Sequence, residues 1–237
     1  MNVLAFDTSN QPMSVALIGD GIVVAEQSTF IKKNHSVQLM PAINDVMQVG
    51  GMEPKDLDEI IVTKGPGSFT GVRIGLTTAK TMAWTLGIPI KTVSSLQALA
   101  YNVPHFKGKI LTFFDARRER VYGAIFHWTE KGELKQVIEE ENAPFTFFLQ
   151  KCKEDQEEIM VLSPDLSLYQ EMIEKVIKNP FFPRSFFQQP RAGVFGLYGD
   201  AMEVEPVHEV VPNYLRLAEA EANWLERQKQ DGSNRTS

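Results

Sequence analysis

The stretch KGPGSFTGVRIGLTTAK, from Lys64 to Lys80, decides the fold of the first half of the chain. A buried-type apolar run precedes it, glycines crowd its first half, and an apolar period typical of a helix follows. The stretch therefore predicts a strand end, a tight loop and a helix from Val72 to Leu86. Backbone N–H groups at the start of a helix attract anions, which makes a phosphate site one interpretation of this loop.

The glycine spacing fits neither standard phosphate-binding loop. The helix does not open with the Gly-Lys-Ser/Thr of a P-loop, and in Gly65, Gly67 and Gly71 the third glycine falls one place late for G-x-G-x-x-G. We therefore favour a tight turn, with Gly75 at a close contact between helix and sheet. An unusual phosphate or partner contact is the second interpretation.

Strands and helices alternate on both sides of this stretch. Residues 2–29 predict three strands joined by tight turns, and NHSVQLMPAINDVMQVGG predicts a helix that is kinked near Pro41 and ends at Gly50. DEIIVTKG and IPIKTVS add two strands, and SLQALAYNV adds a short helix capped by Ser94 or Ser95. The order βββαβαβα predicts a mixed sheet flanked by helices.

The second half predicts a lobe of similar organisation. GKILTFFDA, RVYGAIFHW, LKQVIEEE and EEIMVLS indicate strands, whereas DLSLYQEMIEKVIKN and RAGVFGLYGDAM indicate helices. We predict an N-terminal lobe at residues 1–103, which carries the glycine loop, and a C-terminal lobe at residues 104–225. The polar residues 226–237 predict a disordered tail.

The composition of the 237 residues narrows the class of protein. The net charge of -6 disfavours the chain as the main grip on nucleic acid, because phosphate binding draws on clustered Lys and Arg. The single cysteine, Cys152, excludes an internal disulfide, and no base lies near it in sequence. No apolar run approaches the ~20 residues of a membrane span, and the start lacks a signal-peptide pattern, so we expect a cytoplasmic protein without membrane contact.

Four stretches of the sequence resemble the TsaB family. They are GPGSFTGVRIGLTTAKTMAWTLGIPIKTVSSLQALA, LAFDTS, DARRERVYGAIF and PNYLR, and the resemblance runs over nearly the whole chain. It implies two α/β lobes of the actin/hexokinase/Hsp70-like (ribonuclease H-like) class, whose members bind nucleotides between their lobes. It also implies a partner, TsaD, which transfers a threonylcarbamoyl group to the adenosine beside the anticodon of tRNA.

The resemblance further implies a noncatalytic subunit that binds and activates TsaD. TsaD carries two metal-binding histidines four residues apart on a helix, and the matching positions here are Ser95 and Leu99. A leucine cannot ligate a metal. We therefore expect no catalytic residue, no metal and no intrinsic cofactor. The alternative is a metallopeptidase or a kinase-like enzyme of the same fold class.

Asp7 raises the question of a degenerate nucleotide site. It stands where kinases of this class keep an acid that faces phosphate and metal, so Asp7, Gly65, Gly67 and Gly71 are the candidate contacts. The simpler interpretation, which we favour, is that Asp7 and its neighbours satisfy backbone groups of a turn. ATP otherwise enters only through a second implied partner, TsaE.

Two helices carry more apolar surface than a core stripe needs. Trp84 lies beside Thr77 and Lys80, away from the apolar face of its helix, and an exposed tryptophan is typical of an interface anchor. The resemblance implies that TsaB and TsaD pair through these two helices. The predicted partner-binding residues are Leu39, Met40, Ile43, Met47, Thr77, Lys80 and Trp84.

The remaining expectations concern assembly and RNA. Without TsaD the same patch is expected to allow a homodimer. Arg117, Arg118 and Arg120 form the one dense basic cluster, and a solvated hairpin tip is favoured there over a contact with tRNA or a partner. We expect tRNA to be reached through the complex rather than directly.

Overall fold

Two sheets organise the chain in the computed structural model, which describes residues 1–30, 34–153 and 157–215. The predicted tail at 226–237 lies outside these residues. The first sheet contains β1 (Asn2–Asp7), β2 (Met13–Gly19), β3 (Ile22–Thr29), β4 (Glu59–Thr63), β5 (Ile90–Val93) and β10 (Val204–Glu205). Its order is β10-β5-β4-β1-β2-β3, with β1, β4 and β5 parallel and the others antiparallel to their neighbours. The predicted mixed sheet is confirmed.

The second sheet contains β6 (Lys109–Asp115), β7 (Arg120–Trp128), β8 (Leu134–Pro144) and β9 (Ile159–Leu162), in the order β8-β7-β6-β9. The α-helices are α1 (His35–Val49), α2 (Phe69–Leu86), α3 (Ser95–Ala100), α4 (Phe145–Lys153), α5 (Leu166–Val176) and α6 (Ala192–Gly196). Short 3-10 turns lie at Pro54–Asp56, Ser185–Phe187 and Gly199–Ala201. No helix among the described residues is both long and apolar enough to cross a bilayer.

Local signals in the sequence fix the ends of the helices around the glycine loop. The Ser68 side chain accepts a hydrogen bond from the Gly71 N–H, so α2 begins at Phe69, one turn before the predicted Val72. Gly87 ends α2 in the left-handed conformation, with φ of 69°. Ser94 rather than Ser95 caps α3, where it accepts from two backbone N–H groups.

The strands alternate their side chains between two apolar layers, as the period of a β-strand requires. Leu4 and Phe6 of β1 pack under α1 and α2, whereas Val3 and Ala5 face α3, α6 and the inner face of the second sheet. The outer face of the second sheet packs under α4 and α5. The result is five layers, helices–sheet–helices–sheet–helices, with α3 and α6 in the middle.

An aromatic stack joins the two lobes through that middle layer. The ring of Tyr101, after α3, stacks on Tyr198, after α6, with 4.4 Å between centroids. Trp128 of β7 meets Tyr101 edge-on at 5.9 Å and Tyr198 at 5.5 Å. All three side chains belong to one continuous core or pack against it, so the interface between the lobes is an apolar core.

Two parts of the second half differ from the prediction. RAGVFGLYGDAM forms α6 and a 3-10 turn instead of one helix, and α4 was not predicted at all. More importantly, α6 packs on β1 and β2 and β10 pairs with β5, although both lie within residues 104–225. The chain therefore returns to the first lobe near its end, and sequence order alone does not reveal such a return.

Candidate functional site

The glycine loop packs against the turn that follows β1. A Cβ atom on Gly67 would lie 2.2 Å from the carbonyl oxygen of Ser9, and one on Gly71 would lie 2.2 Å from that of Thr8. The Ser68 N–H donates to the Ser9 carbonyl at 2.6 Å, and the Thr8 hydroxyl donates to the Gly71 carbonyl at 2.8 Å. The glycines are thus required for a close approach of the protein to itself.

Gly65 ties the same loop to two distant segments. It has a φ of +95°, and its carbonyl accepts from the Ser95 N–H at the start of α3. A Cβ atom there would lie 3.0 Å from the Asn213 carbonyl oxygen, and the Asn213 N–H donates to the Lys64 carbonyl at 2.7 Å. The loop is therefore a junction of β4, α3 and the end of the described chain.

Asp7 is fully buried beside this junction. Its Oδ1 accepts from the Ser9 N–H, from the Ser9 hydroxyl at 2.6 Å and from the Thr63 hydroxyl at 2.5 Å. Its Oδ2 has no hydrogen-bond partner among the described residues. Burial raises the pKa of Asp7, while those hydrogen bonds and the charge of nearby His35 act in the opposite direction. Asp7 thus accepts hydrogen bonds from the turn after β1 and from the end of β4.

A cleft of about 660 Å³ opens between the lobes at the start of α2. Its first wall is the beginning of α2 with Asn10, Asn34 and His35, and its second wall holds Asp115, Arg117 and Asp165. Of the four candidate nucleotide contacts, Gly67 and Gly71 line the cleft, whereas Asp7 and Gly65 do not. Nucleotide binding stays a prediction.

The two acids of the second wall were missed from the sequence. Asp115 ends β6 and Asp165 follows β9, and these two strands pair in parallel, so an acid at or after each strand end was the available signal. Asp165 accepts from the Asp115 N–H at 2.9 Å, and Asp115 accepts from the Tyr169 hydroxyl at 2.7 Å. Burial raises the pKa of Asp165, opposed by that backbone hydrogen bond and reinforced by the negative charge of Asp115.

The arginines of the basic cluster have separate environments. Arg117 lines the cleft, and Arg120 donates to the side chain and carbonyl of Asn142 on the neighbouring strand. Arg117, Arg118 and Glu119 all have positive φ, at a tight hairpin tip. Arg117 and Arg118 are exposed at this tip, whereas Arg120 is half-buried.

The side chains considered for metal binding or nucleophilic chemistry have the following surroundings in the described part of the chain. No group of three or more His, Cys, Asp or Glu side chains there is arranged to hold a metal ion. Cys152 is buried, and burial raises the pKa of its thiol to about 12, so it stays protonated at neutral pH. Ser95 and Leu99 both lie on α3 and are fully buried.

The predicted partner-binding residues separate into two groups. Met40, Thr77 and Trp84 are exposed, and Trp84 is 68% exposed. The prediction was wrong for a second group, which lies in the core between α1 and the first sheet and cannot meet a partner: Leu39, Ile43 and Met47. The sequence indicates the apolar arc of α1, but it does not indicate which edge of the arc packs against the sheet and which edge is exposed.

Lys80 makes hydrogen bonds within the chain. It is half-buried, and its ammonium donates to the carbonyls of Val210 at 2.7 Å and His208 at 3.4 Å. Residues 206–215, which we name the C-terminal strap, lie along α2 with Val210 buried in the core. The ring of His208 lies 6.5 Å from that of Trp84.

The strap continues to the start of α2. Tyr214 stacks on Phe69 with 5.1 Å between centroids and accepts from the Arg73 guanidinium at 2.6 Å. Arg73 also lies 3.7 Å over the Phe69 ring. One face of the first lobe therefore combines the exposed sides of α1 and α2 with the strap.

Comparison with known proteins assigns the chain to a family. A Bacillus subtilis protein named "tRNA threonylcarbamoyladenosine biosynthesis protein TsaB" is 46% identical over 97% of this chain and 100% of its own length. The chain belongs to the TsaB family. The TsaB protein of Escherichia coli is 34% identical over 56% of this chain and 58% of its own.

Two further comparisons concern a family model and a solved structure. Residues 8–176 match the family model described as "TsaD: tRNA N6-adenosine threonylcarbamoyltransferase". A crystal structure described as "an uncharacterized protein with similarity to peptidase YEAZ from Pseudomonas aeruginosa" superposes with a TM-score of 0.74 at 25% identity, over 91% of this chain and 99% of its own. The predicted fold class, two α/β lobes with mixed sheets flanked by helices, is confirmed.

Proposed function

We propose that this TsaB-family chain is a noncatalytic subunit in the biosynthesis of threonylcarbamoyladenosine in tRNA. It binds a TsaD-type subunit and holds it in an active arrangement, and TsaD transfers the threonylcarbamoyl group. The observation that carries the noncatalytic part is the pair Ser95 and Leu99. Both are fully buried in the core where the resemblance places the metal-binding histidines of TsaD. A buried leucine offers no ligand atom, and a buried serine alone holds no metal.

The proposed docking face for TsaD is the exposed side of α1 and α2. Met40 is 53% exposed, and Val37 and Val49 on α1 are 66% and 75% exposed. Together with Trp84 these residues form an apolar face on the surface of the first lobe. Exposed apolar faces mark interaction sites. TsaE is the second proposed partner, and a homodimer through the same face is the proposed arrangement without TsaD.

The test of the proposed function is reconstitution. Purified TsaD, TsaE and the enzyme that forms the threonylcarbamoyl adenylate are incubated with tRNA, with and without this chain, and the modified adenosine is quantified by mass spectrometry. Modification should require the chain. Equal modification in its absence would contradict the proposal.

The metallopeptidase alternative is favoured only by the description of the Pseudomonas structure. It requires metal to support turnover. Purification without chelator, followed by elemental analysis and a protease assay with added zinc or iron, separates the two functions. Stoichiometric metal together with proteolysis would favour the peptidase.

A further inference from the structure

An aromatic loop in the second lobe takes no part in the features described so far. It spans residues 178–191, KNPFFPRSFFQQPR, between α5 and α6. Phe181, Phe186 and Phe187 are 55%, 52% and 39% exposed, although phenylalanine is normally buried. The rings of Phe186 and Phe187 contact each other, and the Phe181 ring is exposed in the same loop. Exposed apolar groups of this kind mark interaction sites.

The loop is held firmly by its backbone and its polar side chains. Phe181 exchanges backbone hydrogen bonds with Ile159 and Val161 of β9, at 2.8 and 3.0 Å. The buried Gln188 side chain accepts from the Ser163 N–H at 2.7 Å and donates to the Pro183 carbonyl at 2.9 Å. Asn102 donates to the carbonyls of Phe187 and Gln189.

These contacts fix the loop while its rings stay in solvent. The Phe186 ring lies edge-on to Phe187 at 5.3 Å, and the Arg191 guanidinium covers one of its faces at 4.0 Å. Phe186 nevertheless stays 52% exposed. A prearranged set of rings binds at little cost in conformational entropy.

The loop itself carries only positive charges in a chain whose net charge is -6, and Glu157 and Glu158 of another segment line a pocket together with Lys178. From Lys175 to Gly199 the sequence contains Lys175, Lys178, Arg184 and Arg191 and no acidic residue. Arg191 is paired with Glu26, and Lys175 lies 3.8 Å from Glu171. Lys178 and Arg184 are exposed, and no ion pair within the described residues involves either of them.

We infer that the aromatic loop binds single-stranded RNA, with bases stacked on Phe181 and Phe187 and phosphates paired with Lys178 and Arg184. Exposed rings interleaved with cations are the feature that recognises unpaired nucleotides, because every base has a π-face and every linkage a negative charge. An apolar protein partner would use the rings but would have no use for the excess of cations. The choice of a tRNA loop as the source of the RNA rests on the proposed function. The inference adds a direct contact between this chain and RNA to the expected contact through the complex.

The experiment measures RNA affinity by fluorescence anisotropy, with the full chain alone and in complex with TsaD. The probe is a labelled RNA hairpin with an unpaired loop, and a fully paired RNA of the same length is the control. The first variant combines Phe181→Leu and Phe187→Leu, which keeps the apolar bulk and removes the π-faces. The second is Arg184→Gln, matched by Lys131→Gln on an exposed turn of the same lobe.

We expect the double leucine variant to bind the hairpin at least about fivefold more weakly for each ring replaced. Arg184→Gln should reduce the slope of log affinity against log salt by about 0.7, and Lys131→Gln should leave it unchanged. Melting temperatures confirm that each variant is folded. The inference would be overturned if the variants bound the hairpin as tightly as the parent chain, both alone and in complex with TsaD. It would also be overturned if the parent chain bound the paired RNA as tightly as the hairpin.

A protein partner gives a different pattern. Alanine at positions 181 and 187 would then weaken TsaD or TsaE binding in calorimetry, leucine would preserve it, and RNA affinity would stay the same. That pattern also overturns the inference. Because RNA affinity is measured without any modification reaction, a failed reconstitution and a failed RNA contact are distinguishable.

Discussion

At Gly71, one methyl group would collide with the backbone of the preceding turn. The contact distance of 2.2 Å to the Thr8 carbonyl oxygen is too short for any side chain, and the neighbour is backbone that cannot rotate away. The turn after β1 therefore packs directly against the loop that resembles a phosphate site in sequence. Its glycines allow the start of α2 to approach the turn after β1 closely.

We predict that Gly71→Ala lowers the free energy of unfolding by about 2 kcal/mol, because a well-packed junction must shift to admit the methyl group. Urea denaturation measures the change. Thr70→Ala, one residue earlier and exposed, is the matched control and should alter stability little. Equal effects of the two substitutions would contradict the close-packed junction.

Asp7 gives a prediction that depends on pH. Its folded pKa is raised by burial above the usual value, so the folded state holds its proton more tightly than the unfolded state does. This contribution to stability is present below the unfolded pKa, near 4, and is lost as the pH rises through the folded pKa. Asp7→Asn cannot lose a proton, so its stability relative to the parent chain should increase as the pH rises from about 4.

Unfolding free energies of both chains at several pH values from 4 to 7.5 check this expectation. Asp20 is the control, because its hydrogen bond with the N-terminal amine lowers the pKa of that carboxyl. The stability of Asp20→Asn relative to the parent should therefore not rise with pH. A flat difference between Asp7→Asn and the parent would show that the Asp7 carboxyl has an ordinary pKa.

At the scale of elements, α1 and α2 show what a sequence can and cannot specify. The caps at Ser68 and Ser94 and the stop at Gly87 depend on local chemistry, which the sequence displays directly. Which edge of an apolar arc is covered depends on a sheet assembled from distant residues, and Met47 and Met40 consequently have opposite environments. The strap also depends on long-range contacts, and no local pattern marked it, whereas the acids of the cleft had one local signal, their position at or just after the ends of two strands.

We predict that Trp84→Ala leaves the isolated fold intact, since the ring is 68% exposed, but weakens TsaD binding by about thirtyfold. Loss of an aromatic anchor accounts for this size of effect. Calorimetry with TsaD gives the affinity, and melting temperatures test the fold. If Trp84→Ala unfolds the chain, the ring belongs to the core instead.

Met40→Glu tests the same face from α1, because a partner would have to desolvate an unpaired carboxylate. It should weaken TsaD binding without unfolding the chain. Met47→Glu is the contrast, because Met47 is buried in the first core and its substitution should lower the melting temperature sharply. Parent-like TsaD affinity in both Trp84→Ala and Met40→Glu would place the interface elsewhere.

At the scale of the whole molecule, a partly buried ion pair fastens the segment before α6 to the first lobe. Arg191, just before α6, donates to both oxygens of Glu26 on β3, at 2.8 and 2.6 Å. Ser14 on β2 donates to the same carboxylate and accepts from the Ala192 N–H. Sequence gives no sign of this pairing, because 165 positions separate its members.

We predict that Arg191→Met destabilises the chain by about 2 kcal/mol, because the partly buried Glu26 carboxylate then loses its charged hydrogen-bond donor. Combining Arg191→Met with Glu26→Leu should recover most of the loss, since an apolar pair needs no desolvation. Urea denaturation follows both variants. Lys175→Met, in an exposed ion pair with Glu171, serves as the control and should have little effect.

The return of the chain to its first lobe also sets an order of events during synthesis on the ribosome. Residues that complete the first sheet and cover Ala5 and Ile18 are made about a hundred residues after β5. At typical translation rates the interval is roughly five to twenty seconds. For that time the nascent lobe has an open sheet edge and an uncovered apolar face, which makes it a client for chaperones.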